Sequence, residues 1–208
     1  MFVIRKSRRW WACAGICCLL ALIGVLQWGM SPTFRLWMMG VDVTPLKDPR
    51  SVAIGFRCRD KDIATAIDLV ERILERRQLS VDSVHVLPPV GDPGLEAICQ
   101  MKKISSVPTI KIYSSHVSNS GLRSLIRAAN ATKLVIQARG IDCAGVEHLL
   151  RMKSLESVDL TASGINDECL MSFGTLPLLK FLGVSETKVS RNGIIAFEKA
   201  YPSVRVAY

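Results

Sequence analysis

Apolar residues and glycines recur every 24 positions along the carboxyl-terminal half of this chain of 208 residues. Four such columns run in phase, beginning at Val117, Gly121, Leu122 and Leu125. Their later members are Ile141, Ile165 and Val189; Gly145, Cys169 and Gly193; Val146, Leu170 and Ile194; and Leu149, Phe173 and Phe197. A fixed period of this length is typical of a stacked repeat array.

Each period begins with a predicted strand. Apolar residues stand two apart at Ile110/Ile112, Leu134/Ile136, Val158/Leu160, Leu182/Val184 and Val204/Val206, which is the spacing of a half-buried strand. Turn-forming residues, a polar cluster such as Asn166-Asp167-Glu168 and a short apolar stretch follow, which predict a turn and a capped helix. Stacked units of this kind merge their apolar sides into one core, and parallel crossovers favour right-handed coiling.

Residues 134–141 and 182–194 resemble the short bacterial form of the leucine-rich repeat. The position after each strand holds Ser115, Arg139, Ser163 and Thr187, of which Arg139 departs from that pattern. The resemblance implies an α/β fold, a right-handed leucine-rich repeat solenoid with a parallel sheet on its concave face and short helices on its convex face. It also implies that the domain binds proteins or peptides.

The same pattern continues toward the amino terminus with looser spacing. Val84 and Val86 precede the first regular strand by 26 residues, and Val52 and Ile54 predict a strand further upstream. Residues 60–77 carry an apolar stripe that predicts a longer helix. We therefore expect a repeat domain at 51–208 with 51–80 as an atypical amino-terminal cap, and a juxtamembrane linker at 31–50.

The amino-terminal residues predict a membrane anchor. Residues 1–9 are basic and residues 10–34 contain no charge. At 1.5 Å per residue, a helix over 10–30 spans about 31 Å, close to the roughly 30 Å hydrocarbon core. Tryptophans flank this stretch at both ends. A cleaved signal peptide is the alternative, but the long apolar run without a small-residue cleavage site favours an uncleaved, single-pass signal-anchor.

The charge distribution predicts the orientation of this anchor. Four basic residues precede residue 10, whereas charges of both signs follow the span, so the amino terminus is expected in the cytoplasm and the repeat domain outside it. The remaining surplus of 27 Lys and Arg over 18 Asp and Glu is diffuse. Nucleic acid is therefore not expected as a partner, because its binding usually needs a clustered basic face.

No residue pattern predicts catalysis. The three histidines are not spaced as metal ligands or as members of a catalytic triad, and no phosphate-binding glycine motif is present. We therefore expect neither an enzyme nor a bound cofactor or metal.

Four cysteines lie outside the apolar span, namely Cys58, Cys99, Cys143 and Cys169. Cys143 and Cys169 occupy adjacent units, so a bridge between them is conceivable in an oxidising compartment. Buried reduced thiols are the favoured interpretation, because free cysteine often acts as a small apolar residue. The disulfide state of the four stays open.

The strand residues between the core pairs predict the functional surface. They would form an extended face suited to a protein partner, which makes a membrane-anchored docking or scaffold module the leading hypothesis. Tyr113 and Arg205 are of residue types enriched at binding hot spots. The predicted partner-binding residues are His85, Lys111, Tyr113, Val135, Gln137, Asp159, Thr161, Ser185 and Arg205.

Two alternatives compete with the docking hypothesis. The strand at 204–208 would leave an unprotected sheet edge, so the chain could act as a self-assembly element that forms a homo-oligomer through this edge. A monomer in solution would contradict that hypothesis. An unrecognised enzyme is the second alternative, and turnover that disappears in His85→Ala would support it.

Overall fold

A computed structural model of the chain describes residues 32–208. In these residues, two strands follow a short first helix, and from the second strand onward strands alternate with helices. The strands are β1 Val41–Pro45, β2 Ser51–Phe56, β3 Ser80–Val86, β4 Thr109–Ile112, β5 Lys133–Ile136, β6 Ser157–Asp159, β7 Phe181–Gly183 and β8 Arg205–Ala207. The α-helices are α1 Pro32–Met38, α2 Asp60–Arg77, α3 Asp92–Cys99, α4 Asn119–Leu122, α5 Cys143–Leu149, α6 Asp167–Ser172 and α7 Arg191–Ala200. Short 3₁₀ helices follow α3, α4 and α6 at Ile104–Ser106, Arg123–Arg127 and Phe173–Thr175.

All eight strands of the described chain belong to one sheet whose strand order is the sequence order. Strand β1 pairs antiparallel with β2, and every later neighbour pair is parallel. The register joins residues 24 apart, as in Ile110↔Leu134, Leu134↔Val158 and Val158↔Leu182. The predicted period is therefore confirmed as the pitch of the repeats, which form an α/β array around one sheet that is parallel from β2 to β8.

One core runs through the compact unit from Leu36 to Tyr208. The column that begins at Leu125 is fully buried, with 0% exposure at each of its four members. The other apolar columns are buried as well, except that Val189 lies half-buried near the carboxyl-terminal end. Strand residues and helix residues share this core, so the helices cover the inner face of the sheet. The opposite face is called the outer sheet face below.

The amino-terminal end of the array contains strand β2 and the long helix α2. Strand β2 is parallel to β3, and helix α2 connects them. Helix α2 buries Ile63, Ala66, Val70, Ile73 and Leu74 along one side. The long helix thereby covers core residues of the first units.

The structure places part of the expected linker at 31–50 in the fold. Strand β1 pairs with β2 along its whole length, from Val41↔Phe56 to Pro45↔Val52. Leu36 and Val41 are each only 1% exposed, because both join the core. Proline and glycine residues suggested a linker here. They instead mark the ends of a short helix and of an edge strand.

The basic segment 1–9 and the predicted membrane span 10–30 lie outside the described residues. Within residues 32–208, no helix combines the length and the apolar character that a bilayer crossing needs.

Candidate interaction surface and repeat junctions

The strand register aligns four of the predicted partner-binding residues in one row across the sheet. His85 pairs with Lys111, Lys111 with Val135, and Val135 with Asp159. Gly183 continues the row on β7. Because these positions alternate with buried core residues, their side chains lie on the outer sheet face. This set of five is called the central row.

The other five predicted residues lie on the same face by the same alternation. Four of them follow their strands, so they border the central row at the carboxyl ends of the strands; they are Tyr113, Gln137, Thr161 and Ser185. Arg205 lies at the start of β8 and pairs with Phe181. Arg205 therefore belongs to the row before the central row, at the last strand of the described sheet.

Sequence reasoning missed the remaining members of that earlier row. Thr109, Lys133, Ser157 and Phe181 align in register, two residues before the central row. Lys133 is exposed and adds a second lysine beside Lys111. The alternation that identified the central row also identifies these positions when it is extended by two residues toward the start of each strand.

The central row contains chemically different positions side by side. His85 is half-buried, and desolvation together with the nearby Lys111 ammonium lowers the pKa of its imidazole. No residue of the described chain offers a hydrogen-bond partner to its buried Nε2 atom. Val135 is 8% exposed between its polar neighbours. The row thus joins a desolvated imidazole, a cation and a small apolar patch.

Asp159 is held in a fixed position at the far side of Val135. Its Oδ1 atom accepts hydrogen bonds from the Thr161 hydroxyl at 2.6 Å and from the Thr161 backbone N–H at 3.1 Å. The carboxylate leans over Gly183, where a Cβ would lie 2.9 Å from Oδ1. The absence of a side chain at Gly183 is therefore what gives Asp159 its place on the surface.

A second set of polar residues ties successive repeats together on the helix side. A side-chain oxygen at the first residue of one helix accepts the backbone N–H of the residue that precedes the next helix. We call this arrangement the junction clamp. It joins Asp60 to Gly91 at 2.9 Å, Asp92 to Ser118 at 2.7 Å, Asn119 to Asp142 at 3.1 Å and Asp167 to Ser190 at 2.6 Å.

The junction clamp explains the glycine column of the sequence. Gly121 lies against the Asp92 carboxylate, and a Cβ there would stand 2.9 Å from Asp92 Cγ. Gly94, Gly145 and Gly193 lie in the same way against Asp60, Asn119 and Asp167. The partner column was missed, although Asn119, Cys143 and Asp167 are also 24 residues apart. This shared 24-residue spacing was the available signal, because these positions recur with the same period as the glycine column.

Two of the clamp carboxylates, Asp92 and Asp167, have lowered pKa values. Burial raises the pKa of Asp92, but hydrogen bonds from the Ser118 hydroxyl and N–H, the Ser120 hydroxyl and the Gly121 N–H outweigh it, so the pKa lies below its usual range. Hydrogen bonds from the Ser190 hydroxyl and N–H lower the pKa of Asp167. Both clamps therefore favour the ionised carboxylate.

One junction is built differently, and it corrects the expectation for two cysteines. Cys143 and Cys169 form a disulfide with their Cα atoms 5.3 Å apart, whereas reduced thiols were the favoured interpretation. A bridge had been weighed because the two cysteines lie in adjacent units. The stacking brings the first residue of one helix over the third residue of the next, which makes the bond possible. Cys58 and Cys99 are free and buried, and desolvation raises the pKa of each thiol to about 11.

The residues after the strands do not form a regular hydroxyl ladder. Ser115 and Arg139 are exposed, whereas Ser163 is buried and its Oγ has no hydrogen-bond partner within residues 32–208. The Thr187 hydroxyl donates to the Val184 carbonyl of its own unit at 2.6 Å. In the described chain, the polar ties between neighbouring helices come from the junction clamps instead.

No group of three or more His, Cys, Asp or Glu side chains suited to a metal ion occurs in residues 32–208. No family model matches the chain. No curated protein matches it either. Among solved structures, it is similar to an internalin, InlF, from Listeria monocytogenes strain 4b F2365, with a TM-score of 0.44 and 14% identity. The match covers 78% of this chain and 48% of the internalin, so the chain spans about half of that protein's length.

Proposed function

We propose that this chain is a protein-interaction module that docks its partner on the outer sheet face. The observation that carries the proposal is the register of the central row. Five successive parallel strands, β3 to β7, place His85, Lys111, Val135, Asp159 and Gly183 side by side on the face that the helices leave uncovered. A continuous row of this kind offers a partner an extended, preformed surface.

The charges on this face favour an acidic protein segment as the partner. Lys111, Lys133 and Arg205 supply cations on this face, whereas its carboxylates lie apart: Asp159 on β6, and Asp42 on β1, which extends the central row through Gly55. The lowered pKa of His85 favours the neutral imidazole over the charged one. Complementary charge accelerates association and sets the orientation of the partner. Val135 lies between Lys111 and Asp159 and offers the partner a small apolar contact.

Membrane anchoring through residues 10–30 is the second part of the proposal, with the repeat domain outside the cytoplasm. The uncharged length of this stretch, its flanking tryptophans and the four preceding basic residues support it. Helix α1, which follows the stretch closely, exposes Trp37 and Met38 by 65% and 62%. Exposed residues of these types favour contact with the headgroup layer.

Site-specific photo-crosslinking tests the docking surface. A benzoylphenylalanine is placed at Gln137 on the outer sheet face or, as a matched control, at Ile126 on the helix side, in the full chain in its own membranes; both positions are exposed. We expect the Gln137 probe to yield a discrete crosslinked protein. The double charge reversal Lys111→Glu and Lys133→Glu should reduce that yield at least tenfold, because it repels an acidic segment.

The control reversal Lys61→Glu changes an exposed lysine on helix α2 and should leave the crosslink unchanged. Crosslinking from Ile126 alone, or a Gln137 crosslink that is insensitive to both lysine reversals, would contradict docking on this face. Protease protection in intact cells tests the anchor separately. Cleavage of the repeat domain only from the cytoplasmic side would overturn the proposed orientation.

A further inference from the structure

The disulfide occurs where the otherwise regular junction pattern changes at two positions together. At four described junctions, Asp or Asn at the first helical residue lies against glycine at the third residue of the next helix. Between α5 and α6, the first residue is Cys143 and the third is Cys169. Both members of the pair have changed to cysteine.

The change also accounts for the hydrogen bond that the junction clamp would otherwise supply. Cys143 has no carboxylate to accept the backbone N–H of Asn166, the residue before α6. That N–H instead donates to the Cys169 sulfur at 3.4 Å. Asn166 caps its own helix, because its Oδ1 accepts the Glu168 and Cys169 N–H groups. The disulfide therefore replaces the link between units that the junction clamp provides elsewhere. The backbone N–H groups at the start of α6 are hydrogen-bonded within their own unit, by Asn166.

We propose that the Cys143–Cys169 bond is an inter-repeat staple, a covalent equivalent of the junction clamp, and that it forms because the domain matures in an oxidising compartment. Cysteine at either position alone would lose the clamp without providing a bond. Disulfides persist in secreted and extracytoplasmic proteins and are rare in reducing compartments. The staple itself depends on neither the partner nor the outer sheet face, whereas the oxidising compartment rests on the orientation given in the proposed function.

Formation of the staple needs a disulfide-bearing thiol oxidoreductase as the oxidant. Cys143 is the more exposed of the two residues, so its thiolate attacks one sulfur of the oxidant's disulfide and forms a mixed disulfide. The Cys169 thiolate then attacks the Cys143 sulfur and releases the oxidant as a dithiol. The two protein thiols give up two electrons and two protons in total, and the oxidant's disulfide takes them up.

Three forms of the full chain test the staple, namely the wild type, Cys143→Asp/Cys169→Gly and Cys143→Ser/Cys169→Ser. The first double variant restores the pattern of the neighbouring junctions. A reductant should lower the wild-type thermal midpoint by about 6–12 °C, the shift expected when a loop of this size loses its crosslink. The Asp/Gly variant should be insensitive to reductant and should unfold at a higher temperature than the Ser/Ser variant.

Peptide mapping locates the bond in the cells that make the full chain. Cells are quenched in acid, denatured and alkylated with N-ethylmaleimide, and we expect Cys58 and Cys99 to be labelled while Cys143 and Cys169 remain linked. Labelling of Cys143 and Cys169 would overturn the proposed oxidation and compartment. A wild-type midpoint that does not respond to reductant, or an Asp/Gly variant no more stable than Ser/Ser, would overturn the staple. Loss of the partner crosslink affects neither result.

Discussion

Gly121 lies so close to the Asp92 carboxylate that the two residues act as one unit of the repeat junction. Asp92 receives four hydrogen bonds from the next unit, three of them from Ser118 and Ser120. This approach is possible only where no Cβ occupies the space between the helices. The glycine column is thus a requirement of packing between units and does not reflect unusual backbone angles.

Gly121→Ala should lower the free energy of unfolding by about 1–3 kcal/mol, because the added methyl group displaces the Asp92 carboxylate. Gly140→Ala is the matched control. Its nearest neighbour, the Val117 carbonyl oxygen, would lie 3.6 Å from the new Cβ, which is ordinary contact. Urea unfolding of the two variants compares them directly. Equal midpoints would contradict the assigned role of the glycine column.

The lowered pKa values of Asp92 and Asp167 predict acid sensitivity. A carboxyl group whose folded pKa lies below its unfolded value of about 3.9 stabilises the fold above that value. This stabilisation is lost as the pH falls through the folded pKa. The double variant Asp92→Asn/Asp167→Asn retains an acceptor oxygen, so its thermal midpoint should vary less between pH 5 and pH 3 than that of the wild type.

Asp82→Asn, at an exposed position of β3, serves as the control and should keep the wild-type pH profile. A double clamp variant whose midpoint falls with acid as steeply as the wild type would show that these carboxylates do not carry the pH dependence.

Sequence reasoning identified the residues of the core and missed the polar partners. The apolar columns repeat without exception in type, so stacking could be predicted from period alone. The clamp residues vary among Asp, Asn and Cys, and their meaning depends on a neighbour in another unit. A bridge between Cys143 and Cys169 was therefore considered but reduced thiols were preferred, although the stacking makes the two residues a pair.

Helix α1 and strand β1 show what happens at the amino-terminal edge of the sheet. An edge strand exposes unpaired backbone groups, and β1 supplies partners to β2 in antiparallel pairing. The backbone N–H of Arg57 donates to the Gly40 carbonyl at 2.7 Å at the end of this pairing. Leu36 anchors the preceding helix in the core. This segment therefore protects the edge from which the parallel array begins.

Leu36→Ala should destabilise the repeat domain by about 2–5 kcal/mol, because Leu36 is buried in the core. Met38→Ala on the same helix should change stability by about 0.5 kcal/mol or less, since Met38 is 62% exposed. Chemical unfolding of the full chain in detergent measures both. A Leu36 variant as stable as the Met38 variant would mean that this segment is a linker after all.

The regular strands and helices could be predicted, whereas β1 could not. Each regular strand and helix recurs in the next unit with the same spacing of apolar residues, so several units supported the same prediction. Strand β1 occurs once, runs antiparallel and contains a single fully buried residue, Val41, so its sequence carries no period and little alternation. Prolines at both ends of 31–50 also favoured a linker.

At the scale of the whole molecule, the sheet turns a one-dimensional repeat into a surface. The register places His85, Lys111, Val135 and Asp159 side by side, although 74 residues of sequence separate the first from the last. Period and alternation sufficed to predict that these residues share a face. They did not predict the half-buried state of His85 or the position of Asp159 over Gly183, because both depend on contacts between units.

The partner's identity is not encoded in that pattern, since strand positions on the outer sheet face are free to vary without disturbing the core. Charge and exposure of the face support an acidic partner segment, and the membrane anchor stays a prediction from residues outside the described structure. The self-assembly hypothesis also stays a prediction. Strand β8 pairs only with β7 in the described chain, and sedimentation of the full chain in detergent would measure its oligomeric state.

Transfer of the cysteine pair to another junction tests the repeat stacking most directly. Asn119 and Gly145 occupy the positions of Cys143 and Cys169 one unit earlier. The variant Asn119→Cys/Gly145→Cys should therefore form a second disulfide under mild oxidation, visible as a linked peptide pair after digestion. The control Asn119→Cys/Glu147→Cys, with the exposed Glu147 two residues further along α5, should remain unlinked. A transferred pair that stays reduced, or that links no more than the control, would contradict the 24-residue stack.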